Sequence, residues 1–163
     1  MKEIIQVDVV QTIELIEKYY DDSYSDQLIV NELSEFPEVQ FNFLTKYLHF
    51  NEVGIKIALC EAQGNPDKKE QSDKYNSYLC LQIELMCKLE GSGEGHVTPQ
   101  VIEKFVELDY YPIQDCLDIC QKYEQDRAIA ALLVRNNDLT GAIETYMSHI
   151  KKQSLVQMGC EIL

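Results

Sequence analysis

Apolar positions recur at helical spacing through most of the chain, and most regularly in its last third. From residue 113 to residue 123 they follow the i, i+3, i+4, i+7 order of one helix face. An alanine-rich helix is predicted next, with an apolar face that holds Ala128, Ala131 and Leu132. The last clear stripe holds Leu139, Ala142, Ile143, Tyr146, Met147 and Ile150. The pattern predicts three or four short helices with very short links between residues 98 and 150.

The junctions between these helices carry residues that begin or end helices. Thr98 can cap a helix that begins at the proline after it, and Asp126 and Asp138 can cap the two later ones. Asn136 or Asn137 can adopt the left-handed conformation that closes a helix. We therefore expect the helices to follow one another almost without connecting chain.

Further helices are predicted on both sides of this region. In the first half they cover residues 4–20, 24–36, a stretch that begins at Pro37, residues 51–63 and a stretch that ends near Leu89. Val53, Ile57 and Cys60 mark the apolar face of the fourth, and Ser72, Tyr75 and Leu79 that of the fifth. Residues 67–74 are either a loop or the start of the fifth helix, and residues 154–163 are expected to begin another helix.

No segment alternates with the period of two that strands require, so the sequence predicts an all-α fold. Short helices with apolar stripes bury them by stacking on neighbours, which is the arrangement of an α-solenoid of stacked antiparallel helix pairs. We therefore expect residues 1–163 to form a single α-solenoid segment of a larger protein. Residues 91–97 interrupt it with glycine and serine, and this stretch is either a flexible loop or an engineered linker.

Acidic residues outnumber basic ones by 28 to 14, which gives a formal net charge of −14. Nucleic-acid binding and attraction to anionic lipids both depend on lysine and arginine. We therefore expect protein partners, no nucleic acid and no direct broad membrane binding. The chain has no apolar run of transmembrane length, and Glu3, Asp8 and Glu14 interrupt the region that a signal peptide would keep apolar. These features predict a cytoplasmic protein.

The sequence contains no complete metal-binding or catalytic motif. Cys116 and Cys120 lie one helical turn apart, but a zinc site needs four ligands and no CxxC or CxxH pair exists. Residues 136–141 look like half a calcium loop, yet Met147 stands where the bidentate glutamate belongs. Nucleophile motifs, glycine-rich phosphate loops and HExxH are absent. We expect no enzyme, no catalytic residue, no cofactor and no metal, and we expect the cysteines to be reduced and buried.

Tyrosine is the residue type most suited to a protein interface here. The pairs Tyr19 and Tyr20, and Tyr110 and Tyr111, fall at predicted helix ends, where a ring can pack while its hydroxyl stays in water. Tyrosine is enriched at interface hot spots. We predict these four residues as a protein interface.

Three stretches together resemble the clathrin heavy chain repeat: YLCLQIELMCKL (Tyr78–Leu89), VIEKFVEL, and CLDICQKYEQDRAIAALLVRNNDLTGAIETYM. That repeat has a leucine-rich helix, a cysteine-bearing helix, an Ala-Ala-Leu-Leu helix, a Gly-Asp turn and an alanine-leucine helix. Here Ala130 to Leu133, Asp138 and Ala142 match the pattern, and Asn137 replaces the turn glycine. Asparagine is the next residue after glycine to adopt that conformation.

The family includes clathrin itself and the class C vacuolar protein sorting subunits of the endolysosomal tethers CORVET and HOPS. FPEVQFNFLTKYL (Phe36–Leu48) resembles the stretch ahead of the repeat in the CORVET-specific branch. The resemblance implies a non-enzymatic scaffold segment of a vesicle tethering or coat complex in endosomal or vacuolar protein transport. Such a segment docks sister subunits and is recruited peripherally to endosomal or vacuolar membranes.

Two alternatives stay open, a clathrin heavy chain leg segment and a free-standing helical-repeat adaptor that binds peptides. A scaffold segment leaves apolar surface at its ends, whereas a finished adaptor has polar capping helices. The exposed surface of the terminal helices therefore separates these two classes.

Overall fold

The chain is built from α-helices, and the structure, a computed structural model, describes residues 25–91 and 97–162. These ranges contain α1 (Asp26–Glu32), α2 (Pro37–Phe50), α3 (Glu52–Ala62), α4 (Lys69–Lys88), α5 (Pro99–Val106), α6 (Ile113–Lys122), α7 (Asp126–Arg135) and α8 (Leu139–Ile162). Short 3₁₀ turns precede α2 and α4, and the described ranges contain an isolated bridge between Glu90 and Val97 but no strand. The predicted all-α fold class is confirmed.

The chain divides into two compact units, and the boundary between Tyr78 and Leu79 falls inside α4. In the first unit α2 contacts both α1 and α3. Its core holds Ile29, Val30, Leu33, Val39, Phe43, Leu44 and Leu48. Gln40 is the one polar side chain among the buried residues of α2. Its amide donates a hydrogen bond to the Val30 carbonyl over 2.8 Å, which satisfies it.

Helix α7 is the centre of the second unit, where it contacts α5, α6 and α8. The largest fully buried side chains of this unit are Leu79, Gln82, Ile83, Met86, Ile102, Val106, Cys116 and Leu132. They come from α4, α5, α6 and α7, so these helices share one core. The Tyr111 hydroxyl donates to Gln82 Oε1 over 2.6 Å and satisfies the buried amide.

The turn between α7 and α8 has the predicted geometry. Asn137 is left-handed, with φ of 61°, and the amide of Asp138 donates to the Leu133 carbonyl over 2.9 Å. This is the six-to-one bond of a Schellman motif. The Asp138 carboxylate then accepts the amide of Gly141 over 2.9 Å and caps α8. The predictions for Asn137 and Asp138 are confirmed.

The turn between α6 and α7 closes in the same way, although the left-handed residue is Glu124, with φ of 54°. The amide of Gln125 donates to the Cys120 carbonyl over 2.9 Å. A residue with a Cβ carries a cost of about 1–2 kcal/mol in this conformation, and glycine does not. Gln125 occupies the cap position, so Asp126, predicted as the cap, is instead the first residue of α7.

Glu124→Gly is expected to raise the free energy of unfolding by about 0.5–1 kcal/mol. The released strain exceeds the entropy that glycine adds to the unfolded chain. Asn137→Gly is the matched control and should gain less, because asparagine tolerates the left-handed region. Urea unfolding of the three proteins measures the difference. A loss of stability in Glu124→Gly would contradict the Schellman assignment at this turn.

Several predicted helix starts and faces are confirmed. Pro37 and Pro99 are the first residues of α2 and α5. Ser72, Tyr75 and Leu79 are all buried along α4, which begins at Lys69, so residues 69–74 belong to the helix. Thr98 occupies the N-cap position, but its side chain makes no capping hydrogen bond.

Three further predictions are wrong. Helix α3 buries Ile55 and Ala58, and it exposes the predicted core face of Val53, Ile57 and Cys60. This happens because α3 carries apolar residues on two sides and periodicity cannot select the covered one. Cys60 is therefore not a buried thiol. Residues 154–162 do not begin a new helix, because α8 continues without a break from Leu139.

Some predictions fall on residues that the structure does not describe. The helix over residues 4–20, with Tyr19 and Tyr20, lies outside the described ranges, and so do residues 92–96 of the predicted loop or linker. Gly91, which precedes them, has φ of 71°, a conformation that glycine adopts without strain.

Asp26 gives the first unit a pH dependence. Burial acts to raise the pKa of Asp26, but hydrogen bonds from Lys74, Tyr47 and Tyr78 outweigh it and hold that pKa below its usual 3.8. Lys74 Nζ lies 3.0 Å from Asp26 Oδ2. Because the folded-state pKa is the lower one, this stabilisation is complete above the usual pKa and is lost as the pH falls through the folded-state value.

We expect Asp26→Asn to lower stability by about 1 kcal/mol at pH 7, the upper range for a partly exposed ion pair. It should also reduce the loss of stability between pH 7 and about pH 3. Urea titrations at the two pH values measure this. Lys74→Met should reduce the acid loss as well, without adding to the first change. An undiminished acid loss in Asp26→Asn would show that this carboxylate carries none of it.

Candidate protein-docking surface

Ion pairs fix the helices on either side of α7. Arg127 Nε donates to Glu103 Oε2 of α5 over 2.7 Å. Lys152 Nζ of α8 donates to Asp126 Oδ2 over 2.9 Å, and His149 Nδ1 lies 3.6 Å from the same oxygen. Both pairs start from the first turn of α7, so they set where α5 and α8 lie along it.

One side of α8 is apolar and is not covered by any other described helix, and we call it the α8 face. It is formed by Leu139, Ile143, Met147 and Ile150, and all four side chains are exposed. Their spacing of four, four and three residues places them on one side of a helix with 3.6 residues per turn. Ala142, predicted as part of the same stripe, is buried instead. Because large exposed apolar patches are common at interaction sites, the α8 face is a candidate for one.

An open groove lies beside the α8 face, between α5, α7 and α8. Its volume is about 390 Å³, and the Tyr146 side chain lines it. Its aliphatic lining consists of Ala130, Ala131, Val134, Ala142, Ile143 and Met147. Ile143 and Met147 belong to both features, so the groove and the α8 face are one continuous apolar surface. We call this combined area the docking surface.

The charged residues of the docking surface are predominantly acidic. Its lining includes Glu103, Glu107 and Arg127. The guanidinium of Arg127 is committed to Glu103, and this contact raises the pKa of Arg127. Glu107 is exposed at the end of α5. A partner that covers this surface therefore meets a carboxylate at its edge.

Arg135 is the last residue of α7, and its side chain forms hydrogen bonds with the end of α5 and the loop between α5 and α6. Its guanidinium donates to the Val106 carbonyl over 2.7 Å, to that of Asp109 over 2.9 Å and to that of Tyr111 over 3.0 Å. Val106 is the last residue of α5 and the other two carbonyls follow it, where no helical amide is available. The planar fork of one arginine satisfies all three and holds α5 against α7.

The two tyrosines predicted as an interface at this loop differ in burial. Tyr111 is buried, with its hydroxyl on Gln82, so the exposure on which its prediction rested is not found. Tyr110 is half-buried, and its ring centroid lies 5.1 Å from that of Tyr111. An interface role for Tyr110 stays a prediction. Tyr19 and Tyr20 lie outside the described residues.

Cys116 and Cys120 are buried and form no disulfide. A hydrogen bond with Cys80 and burial raise the pKa of Cys116, and Cys87 and burial raise the pKa of Cys120 in the same way. Among residues 25–91 and 97–162, no group of three or more His, Cys, Asp or Glu side chains could hold a metal ion.

Sequence reasoning identified the α8 stripe but not the groove beside it. The missed residues are Glu103, Glu107, Arg127 and Val134. A signal for Arg127 and Val134 exists in α7, because residues 127, 131 and 134 are spaced by four and three and form a second helix face. That face lies next to the buried one and contains a charge, so a search for apolar stripes overlooks it.

The described part of the chain is thus all-α, with an exposed apolar surface on its second unit. None of its described helices combines the length and apolar character needed to cross a membrane. Comparisons with protein-family models, curated proteins and solved structures found no match to this chain. The clathrin-repeat resemblance therefore stays a prediction that rests on the residues quoted above.

Proposed function

We propose that this chain is a non-enzymatic scaffold segment of a vesicle tethering or coat complex in endosomal or vacuolar protein transport. Its helices would belong to an α-solenoid of the clathrin heavy chain repeat type, most similar to the CORVET-specific branch. It would act by protein–protein docking, without catalytic turnover or a cofactor. It would reach endosomal or vacuolar membranes from the cytoplasm through its sister subunits.

The observation that carries the proposal is the uncovered α8 face. A helix at the finished end of a repeat protein presents a polar outer side to water. Helix α8 instead exposes Leu139, Ile143, Met147 and Ile150. This supports a surface that is covered by another protein segment, and it favours the scaffold over a free-standing adaptor.

The order of the second-unit helices also supports the proposal. Cysteine-bearing α6, alanine-rich α7 and Asp-capped α8 follow one another with links of three residues each. Short links keep consecutive helices adjacent, as helical repeats require. The resemblance was based on this same order of helices. The order therefore supports the local arrangement of the helices, and the exposed apolar surface is a separate observation.

The net charge of −14 is consistent with protein partners. An acidic segment gains nothing from nucleic acid or from an anionic bilayer, since both are polyanions. Electrostatic complementarity would instead favour sister subunits with basic surface.

Affinity purification of the full-length protein that carries this chain, followed by mass spectrometry, tests the proposal. We expect other class C subunits among the recovered proteins. Clathrin light chain in their place would select the clathrin leg alternative. Recovery of neither would overturn the trafficking proposal as a whole.

A further inference from the structure

We infer that the docking surface binds an amphipathic helix of a partner protein, with leucine-like side chains in the groove and lysine or arginine along its flanks. This inference rests on the proposed function and specifies the partner chemistry that its docking step would use. Helix-in-groove recognition is a recurring mode in which apolar residues at i, i+3, i+4 and i+7 anchor a helix.

The shape of the groove suits a helix. Ala130 and Ala131 give it a floor of short side chains, which lets a partner backbone approach closely. Ile143 and Met147 of α8 and Val134 of α7 also line it, and all three are exposed. A volume of about 390 Å³ accepts a few apolar side chains, and the open form leaves room for the rest of a helix above them.

The charge of the docking surface determines the kind of helix. Of its lining residues two are carboxylates and one is a cation, and that cation, Arg127, is paired with Glu103. Glu107 lies exposed at the α5 edge of the groove, and Glu144 is exposed on α8 outside the groove lining. Lysine or arginine on the flanks of a bound helix would face these carboxylates, which favours encounter and fixes its position.

The same charges disfavour a second copy of this chain as the occupant. Each copy carries a formal charge of −14, so two copies repel each other at long range. A basic partner avoids this repulsion.

A labelled synthetic helix of about 15 residues tests the inference, because isolated helices of that length begin to be stable. The probe contains leucine, alanine and lysine, with the leucines on one side and the lysines on the other. A second probe replaces every lysine by glutamate, and a third replaces every leucine by serine. Fluorescence anisotropy with the purified chain measures binding at low and at high salt.

We expect the leucine-lysine probe to bind at least about tenfold more tightly than either control probe, because each control removes one of the two complementary features. High salt should weaken its binding, because the flanking contacts are exposed. Equal binding of the leucine-glutamate probe would overturn the charge assignment. Equal binding of the serine-lysine probe would overturn the groove assignment.

Variants place the site on the protein. Ile143→Asn should weaken binding of the leucine-lysine probe by about tenfold, as loss of an anchor does. Leu155→Asn is the matched control with no expected change, because the exposed fractions of the two side chains are 64% and 65%. Ala131→Leu fills the groove floor without a new charge and should weaken binding similarly. Equal loss in Ile143→Asn and Leu155→Asn would place binding elsewhere.

Glu107→Lys tests the edge charge. It should weaken binding by about threefold to fivefold, in the range of an exposed ion pair. Glu32→Lys is the control, since it changes the net charge equally at an exposed site in the first unit. An equal effect of both would show that only net charge matters, which would contradict the inference.

The inference and the proposed function fail in different ways. If class C subunits are recovered but the leucine-lysine probe does not bind, the inference is wrong and the proposed function stands. If the probe binds as described but neither class C subunits nor clathrin light chain are recovered, the proposed function is wrong and the helix-binding groove stands.

Discussion

Leu132→Ala is expected to lower the free energy of unfolding by about 2–5 kcal/mol. Leu132 is fully buried in α7, the helix that contacts α5, α6 and α8. The substitution removes apolar contacts and leaves a cavity that three surrounding helices cannot fill without moving. Such a loss is a large fraction of the stability of an ordinary domain.

Leu155→Ala is the matched control, because it makes the same chemical change on an exposed part of α8. Its effect should stay within about 0.5 kcal/mol, as for most surface substitutions. Thermal or urea unfolding of both variants measures the contrast. Similar small effects for the two would show that α7 is not the centre of the second unit.

Arg135→Ala is expected to cost about 2–4 kcal/mol, from the loss of three charge-assisted hydrogen bonds to main-chain carbonyls. The carbonyls of Val106, Asp109 and Tyr111 lie 2.7–3.0 Å from its guanidinium nitrogens. They belong to the last residue of α5 and to the loop after it, so no helical amide replaces the arginine. The substitution should also loosen the loop that carries Tyr110.

Two further variants isolate the cause. Arg135→Lys keeps the charge but loses the planar fork, so it should recover less than half of the lost stability. Arg127→Ala removes an arginine whose partner is the carboxylate of Glu103, and should cost about 1 kcal/mol or less. Full recovery by Arg135→Lys would contradict the role of the fork.

Local signals in the sequence predicted the helix ends well. Pro37 and Pro99 begin helices because proline fits the first position, where its missing amide costs nothing. Asn137 and Asp138 form the turn between α7 and α8 by the same kind of local chemistry. These features depend on neighbouring residues alone, so a single sequence is sufficient to predict them.

Burial was harder to predict, because it depends on neighbours that are distant in the sequence. Val53 and Ile57 have the spacing of a core face, yet α3 turns Ile55 and Ala58 inward. The apolar stripe of α8 was predicted from its helical spacing. That spacing does not show that most of the stripe is exposed and not covered by another described helix. The groove depends on three helices at once, so residues such as Glu107 carried no signal in their own segment.

The position of the loop between α5 and α6 was predicted, but the burial of its side chains was not. Tyr110 and Tyr111 do lie at a helix junction, but the junction turns Tyr111 inward onto Gln82. The three bonds from Arg135 hold this conformation, and they join residues 24–29 positions apart. No local sequence pattern predicts a contact between residues so far apart in the sequence.

The central claim is that the apolar surface of α8 docks sister subunits of a trafficking complex. The most direct test is quantitative recovery of class C subunits with the tagged full-length protein in three forms: wild type, Ile143→Asn and Leu155→Asn. The proposal predicts that Ile143→Asn recovers at least about tenfold less of the directly bound subunit, while Leu155→Asn matches the wild type. Undiminished recovery with Ile143→Asn, at wild-type expression and thermal midpoint, would contradict the claim.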